Sequence, residues 1–224
     1  MKNKKTDDAE KDDKSDKSDK KEIKNVGETS KKALFIQRFM AYCIDILIVS
    51  FVVSIVALPF YNEKEITKYE EKMDTLVEKV STNEIAPDEL MVESTNITYN
   101  QARVNGIISL ITIIVEVLYF VIYQLYNGGQ TLGKKMMKIK VVSKTGELTT
   151  NQMLFRALII NSILLELISF GFMLFSSKEV YFFGVGFFDA IQSIIIIVSV
   201  LMVMYSKSAR GIHDLVTHTE VLKI

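Results

Sequence analysis

The sequence predicts an all-α integral membrane protein: a four-helix transmembrane bundle with a small helical outer loop and a short cytoplasmic β-like hairpin. Three observations carry this. First, four apolar runs reach spanning length, at about residues 39–60, 104–126, 153–175 and 184–205. A run of that length, at a helical rise of about 1.5 Å per residue, covers the hydrocarbon core of roughly 30 Å. Second, lysine is distributed unevenly between the loops. Third, the few charges inside the runs sit singly, as membrane segments allow only where protein or a wet cavity receives them.

The 27 basic and 27 acidic residues balance, which excludes a uniformly basic surface and argues against a nucleic-acid partner. The partner implied by the composition is the lipid bilayer. Cys43 is the single cysteine, so no intrachain disulfide forms. Residues 1–30 hold nine lysines and nine acids with almost no apolar content, too little to offset the entropy of ordering. A disordered charged tail is therefore expected over 1–33 and a membrane unit over 34–224. The first run is long, carries Asp45 and follows this hydrophilic lead, so it reads as an uncleaved anchor.

Loop charge sets the expected orientation. Loop 61–103 has five basic and ten acidic residues, whereas loop 127–151 has Lys134, Lys135, Lys138, Lys140 and Lys144 against Glu147. Lysine near span ends favours the cytoplasmic side. Four spans then place both termini in the cytoplasm of a multi-pass cell-membrane protein and the acidic loop outside. Within that outer loop, Ile66, Tyr69, Met73, Leu76 and Val80 form one helical stripe, and Pro87-Asp88-Glu89 suits a second helix start. The stripe predicts a helical cap.

In the cytoplasmic loop, Gly128 to Lys134 matches GxxxxGK, but Lys135 stands where a magnesium-holding Ser or Thr is required. The glycines instead end a helix and turn the chain. Lys138 to Val142 alternates and runs into Thr145-Gly146, the strand-then-turn pattern behind the expected hairpin. His213 and His218 lack the spacing of a helical metal pair, and no nucleophile elbow is present. His213 reads as a surface residue beside Asp214. Neither an enzyme nor a cofactor or metal is expected.

The charges in and beside the spans fall into two groups by depth. Arg38, Asp45, Arg156, Arg210 and Asp214 lie toward the cytoplasmic end and include both signs. Arg156, at the depth of Asp45, is its expected partner. Glu116, Glu166 and Asp189 lie in the middle and outer parts and are acids only; Asp189 sits beside Phe187-Phe188, where an aromatic belt would hold it at the interface. Without a basic partner, Glu116 and Glu166 must keep a proton or bind a cation.

Several of these residues stand in a recognisable order. Arg38-x-x-Ala41-x-x-x-Asp45 opens the first span; Gly129-Gln130-Thr131-Leu132-Gly133-Lys134 precedes Ile139-Lys140-Val141-Val142. Leu154-Phe155-Arg156 opens the third span, and Gly211-Ile212-His213-Asp214-Leu215 precedes Thr219-Glu220-Val221. The pattern resembles the RDD family, named for one arginine and two aspartates, over about residues 34–224. The resemblance implies that Arg38, Asp45 and Asp214 are those three, and that the chain is a small bacterial membrane protein for which transport, including sodium/proton exchange, is one role. Two functions stay open: transport of small ions by proton or monovalent-cation exchange, or a non-transporting scaffold or accessory protein that binds a partner through its outer loop or cytoplasmic segments. Four spans are few for an independent path, so a homo-oligomer is expected with the first reading.

Overall fold

The computed structural model describes residues 32–224. The expected tail, but for its last two residues, lies outside the described residues.

Helix α1 (Phe35–Ala57) buries Ala41, Asp45 and Val49 on one stripe of four-residue spacing. Arg38 falls on the same face. A 3₁₀ turn holding Pro59 ends the helix at Leu58–Phe60. The cap follows as α2 (Glu63–Ser81) and α3 (Pro87–Val104). Asn62 caps α2, and α3 opens on Pro87 with Asp88 and Glu89 in its first turn, where the helix dipole favours acids. The two helices pack on each other, tied by Lys79–Glu93 at 3.4 Å. Of the predicted stripe, Ile66 and Leu76 are buried and Val80 faces outward.

Helix α4 (Gly106–Tyr126) is the second long apolar helix. It contains a π-helical turn at Leu118–Tyr123, the kind of insertion that re-aims side chains within a helix. After a glycine turn come α5 (Leu132–Met136) and β1 (Ile139–Ser143). The third apolar run is not one straight helix. It divides into α6 (Thr150–Ile160) and α7 (Ile163–Phe175), bent by 71° at Asn161-Ser162, with Ser162 left-handed at φ 59°. A break inside an apolar region frees carbonyls that protein must satisfy, and Gln192 donates to the Ile159 carbonyl there. Helix α8 (Lys178–Tyr205) is the longest, and α9 (Ile212–Val216) and β2 (Thr219–Lys223) close the chain.

Among the described residues, three helices are long and apolar enough to cross a membrane, and the bent pair raises the number to four if it counts as one span. The expected hairpin is replaced by a two-stranded antiparallel sheet in which β1 pairs with β2, Val141 opposite Val221. The reason lies on both sides of the sheet. The residues after β1 lead straight into the capping box of Thr149 and Gln152 at the start of α6, leaving no room for a return strand. Val221 repeats the inward alternation of Ile139 and Val141, and all three enter a core with Phe120, Val121, Met153 and Ala157. The sheet's outer edges are covered: Val141 N–H bonds the Gly129 carbonyl, and Ala33 N–H bonds the Val221 carbonyl.

Helix–strand units α5–β1 and α9–β2 have the same shape. Each strand is entered through a left-handed non-glycine residue, Lys138 (φ 53°) or His218 (φ 51°). The antiparallel register relates the units by an approximate two-fold, and each unit meets one buried aspartate. The molecule thus has a cap end, built by α2 and α3, and a sheet end.

Candidate functional site

At the sheet end, Asp45 is 1% exposed and accepts three hydrogen bonds. Tyr119 Oη donates to Oδ1 at 2.7 Å, Gly133 N–H to Oδ1 at 2.8 Å, and Thr131 Oγ1 to Oδ2 at 2.5 Å. Thr131 also caps α5 by accepting from Lys134 N–H. The π-turn of α4 carries Tyr119, and the glycine at 133 lets α5 come close to α1. A Cβ there would stand 2.8 Å from Asp45 Oδ1.

The second aspartate, Asp214, is fully buried on α9. Arg38 Nη1 donates to its Oδ2 at 2.9 Å and Arg156 Nη1 donates to its Oδ1. Gly211 N–H adds a bond to Oδ2 at 3.2 Å, and Arg156 also reaches Thr219 Oγ1 at 3.1 Å. Burial alone would raise the Asp214 carboxyl, but the charges of Arg156 and Arg38 outweigh it and hold the group well below the usual carboxylate range.

The expected Asp45–Arg156 pair is therefore corrected. Arg156 belongs to Asp214 and Thr219, while Asp45 is satisfied by neutral donors from α4 and from the cap and first turn of α5. Depth alone did not separate two aspartates that compete for one guanidinium. His213 is likewise buried, not superficial: its Nδ1 lies 2.9 Å from Ser199 Oγ. Burial and the charge of Arg156 push it down to about 3, so the ring is neutral. Arg210 is half-buried, and its Nε has no hydrogen-bond partner among the described residues.

Lys134 donates to Gln124 Oε1 at 3.3 Å. Burial lowers its ammonium to about 8, against the attraction of Asp45. A cavity of about 260 Å³ opens beside it, between α1, α6 and α8, and includes Arg38, Lys134, Arg156 and His213 in its lining.

In the middle of the bundle, Glu116 on α4 and Glu166 on α7 are half-buried on helices that pack against each other. The Oε2 atom of each is buried with no hydrogen-bond partner among the described residues. A second cavity, about 540 Å³, lies under the cap and is lined by Glu166, Thr112, Ser169, Tyr181 and Glu70. Asp189 faces outward on α8 and lines neither cavity.

Tyr119 and Ser199 carry no signal in the sequence, and Thr131, Gly133 and Thr219 stand out there as members of the ordered motifs, with no role attached. Thr131 had a legible signal, a capping threonine just ahead of the apolar Leu132. For Tyr119 nothing in the apolar run marks the π-turn.

A family model, that of the RDD family, matches residues 32–218. No curated protein and no solved structure matches the chain.

Proposed function

The chain belongs to the RDD family, and from that premise we propose that it exchanges protons for a monovalent cation across the membrane, with Glu116 and Glu166 as the carrying pair. One observation carries the reading: two carboxyls on apolar helices that pack together, each with a buried oxygen that has no partner among the described residues. In apolar surroundings such a pair takes up a proton or a cation, because two bare carboxylates repel and lack water.

The neighbouring space supports the reading. The cap-end cavity borders Glu166, and Glu116 is within electrostatic reach of Tyr42, which lines the sheet-end cavity. The pair thus stands between two recesses. In the orientation we propose, the cap faces outside, the sheet end and both termini face the cytoplasm, and the bent pair α6–α7 supplies the fourth span of a cell-membrane protein. A homo-oligomer would complete the path.

The test is pH-gradient-driven sodium flux in liposomes containing the full chain, compared with Glu116→Gln and Glu166→Gln. Glutamine preserves hydrogen bonding and cannot titrate. Flux in the wild type that both variants lose supports the reading; equal flux in all three across pH 6–9 removes these residues from it. The second reading, a non-transporting accessory protein, draws on the cap, where Val77, Val80, Met91 and Val92 face outward. Absence of wild-type flux together with a membrane protein captured through the cap would favour it.

A further inference from the structure

The sheet-end cavity enters the exchange reading only as a recess near Glu116, and its lining has an unusual charge pattern. Arg38, Lys134 and Arg156 line it, whereas neither Asp45 nor Asp214 does, and among the described residues no other acid is in its lining. The donors are only partly used. Arg38 Nε is buried with no partner among the described residues, and Lys134 Nζ has one described bond, to a neutral amide oxygen. The remaining walls are apolar, with Phe35 and Phe39 from α1 and Ile195, Ile196 and Val200 from α8.

The depth of the cavity narrows the choice of ligand. Arg38 belongs to the first turns of α1, three residues after the helix begins at Phe35, so the cations lie where headgroups give way to acyl chains. The cavity separates α1 from α8, the first and last long apolar helices, and is too small to enclose a whole phospholipid.

We propose that this cavity binds the headgroup of an anionic phospholipid, with the phosphate at Arg38 and Lys134 and the upper acyl chains along the apolar walls between α1 and α8. A basic pocket between helices is suited to such headgroups. A zwitterionic lipid presents an ammonium as well, and the described lining offers that group no carboxylate. A small soluble anion meets the cations but leaves the apolar walls without a partner.

The full-length protein, purified in neutral detergent and stripped of lipid, tests this by native mass spectrometry. The probes are phosphatidylglycerol, phosphatidylcholine and inorganic phosphate. One phosphatidylglycerol per chain should be retained at concentrations where phosphatidylcholine is not, and phosphate should not displace it. Lys134→Gln should weaken retention about fivefold, the share of one basic residue near an anionic headgroup, and Lys134→Arg should restore it. Ile196→Trp, which fills an apolar wall, should also reduce retention and carries the test if the lysine variant fails to fold. Equal retention of the two lipids overturns charge recognition. Displacement by phosphate alone reassigns the site to a free anion. Retention untouched by either Lys134→Gln or Ile196→Trp places the lipid elsewhere and overturns the proposal.

Discussion

Arg38 and Asp214 stand 176 positions apart in the chain and meet at 2.9 Å. The contact joins the first turns of α1 to the short helix just before the last strand, and Arg156 closes it from α6. Three segments distant in sequence therefore share one buried carboxylate. The Ala33–Val221 backbone bond repeats the same junction.

Asp214→Asn should strand two guanidiniums at this junction. Breaking a buried ionic network by removing one partner costs about 3–5 kcal/mol. Thr219→Ala removes a hydroxyl that accepts from Arg156 and meets Thr217 Oγ1, but strands no charge, and should cost about 1.5–3 kcal/mol. Thermal unfolding of both variants in detergent checks the order, and comparable losses would reduce Asp214 to an ordinary hydrogen-bonded group.

Gly133→Ala should loosen the cradle of Asp45. The new methyl group would press on the Ala41 carbonyl and on Asp45 itself, and overpacking of this kind costs about 1–3 kcal/mol. Gly171 faces open space, so Gly171→Ala serves as the neutral comparison. Tyr119→Phe removes a donor from the same carboxylate and should move stability in the same direction as Gly133→Ala.

The long apolar runs and the ordered motifs were legible because each is local: length, composition and spacing lie within one segment. What the sequence did not disclose was non-local or conformational. Strand β1 has the expected alternation, but its partner comes from the end of the chain, and nothing near Ile139 marks Val221 as its mate. The bend at Asn161-Ser162 lies inside a run whose hydropathy stays high, so a count of apolar residues passes over it. Arg38 and Asp214 were legible as members of a motif, whereas their contact required the fold. The burial of His213 depends on Ser199 of α8, which reads as one more small residue in a span.

Lys134 makes a prediction about pH. Its ammonium is held near 8 in the folded protein by burial, against about 10.4 in an unfolded chain. Between those values the unfolded state binds the proton that the native state has released, so this group's contribution to stability rises with pH from about 8 to about 10 and is flat below. Lys134→Met abolishes it. The stability of the variant relative to the wild type should therefore fall as pH is raised across that window, read as a difference in Tm at each pH. A constant difference would mean that Lys134 is not desolvated.

Orientation is checked in a Cys43→Ala background. Ser81→Cys, at the end of α2, should react with an impermeant thiol reagent in intact cells, and Ser143→Cys, at the end of β1, should react only after lysis. The opposite pattern reverses the proposed topology and places the lysine-rich loop outside.

Cation-induced proton release tests the exchange reading without a gradient or a second compartment. Sodium is added to the purified full-length protein in weakly buffered detergent, and the proton change is followed with a pH-sensitive dye. Exchange at these two carboxyls predicts saturable proton release from the wild type and its loss in both Glu116→Gln and Glu166→Gln. Wild-type release that persists in both variants, or no release at any sodium concentration, would contradict a shared proton and cation site at Glu116 and Glu166.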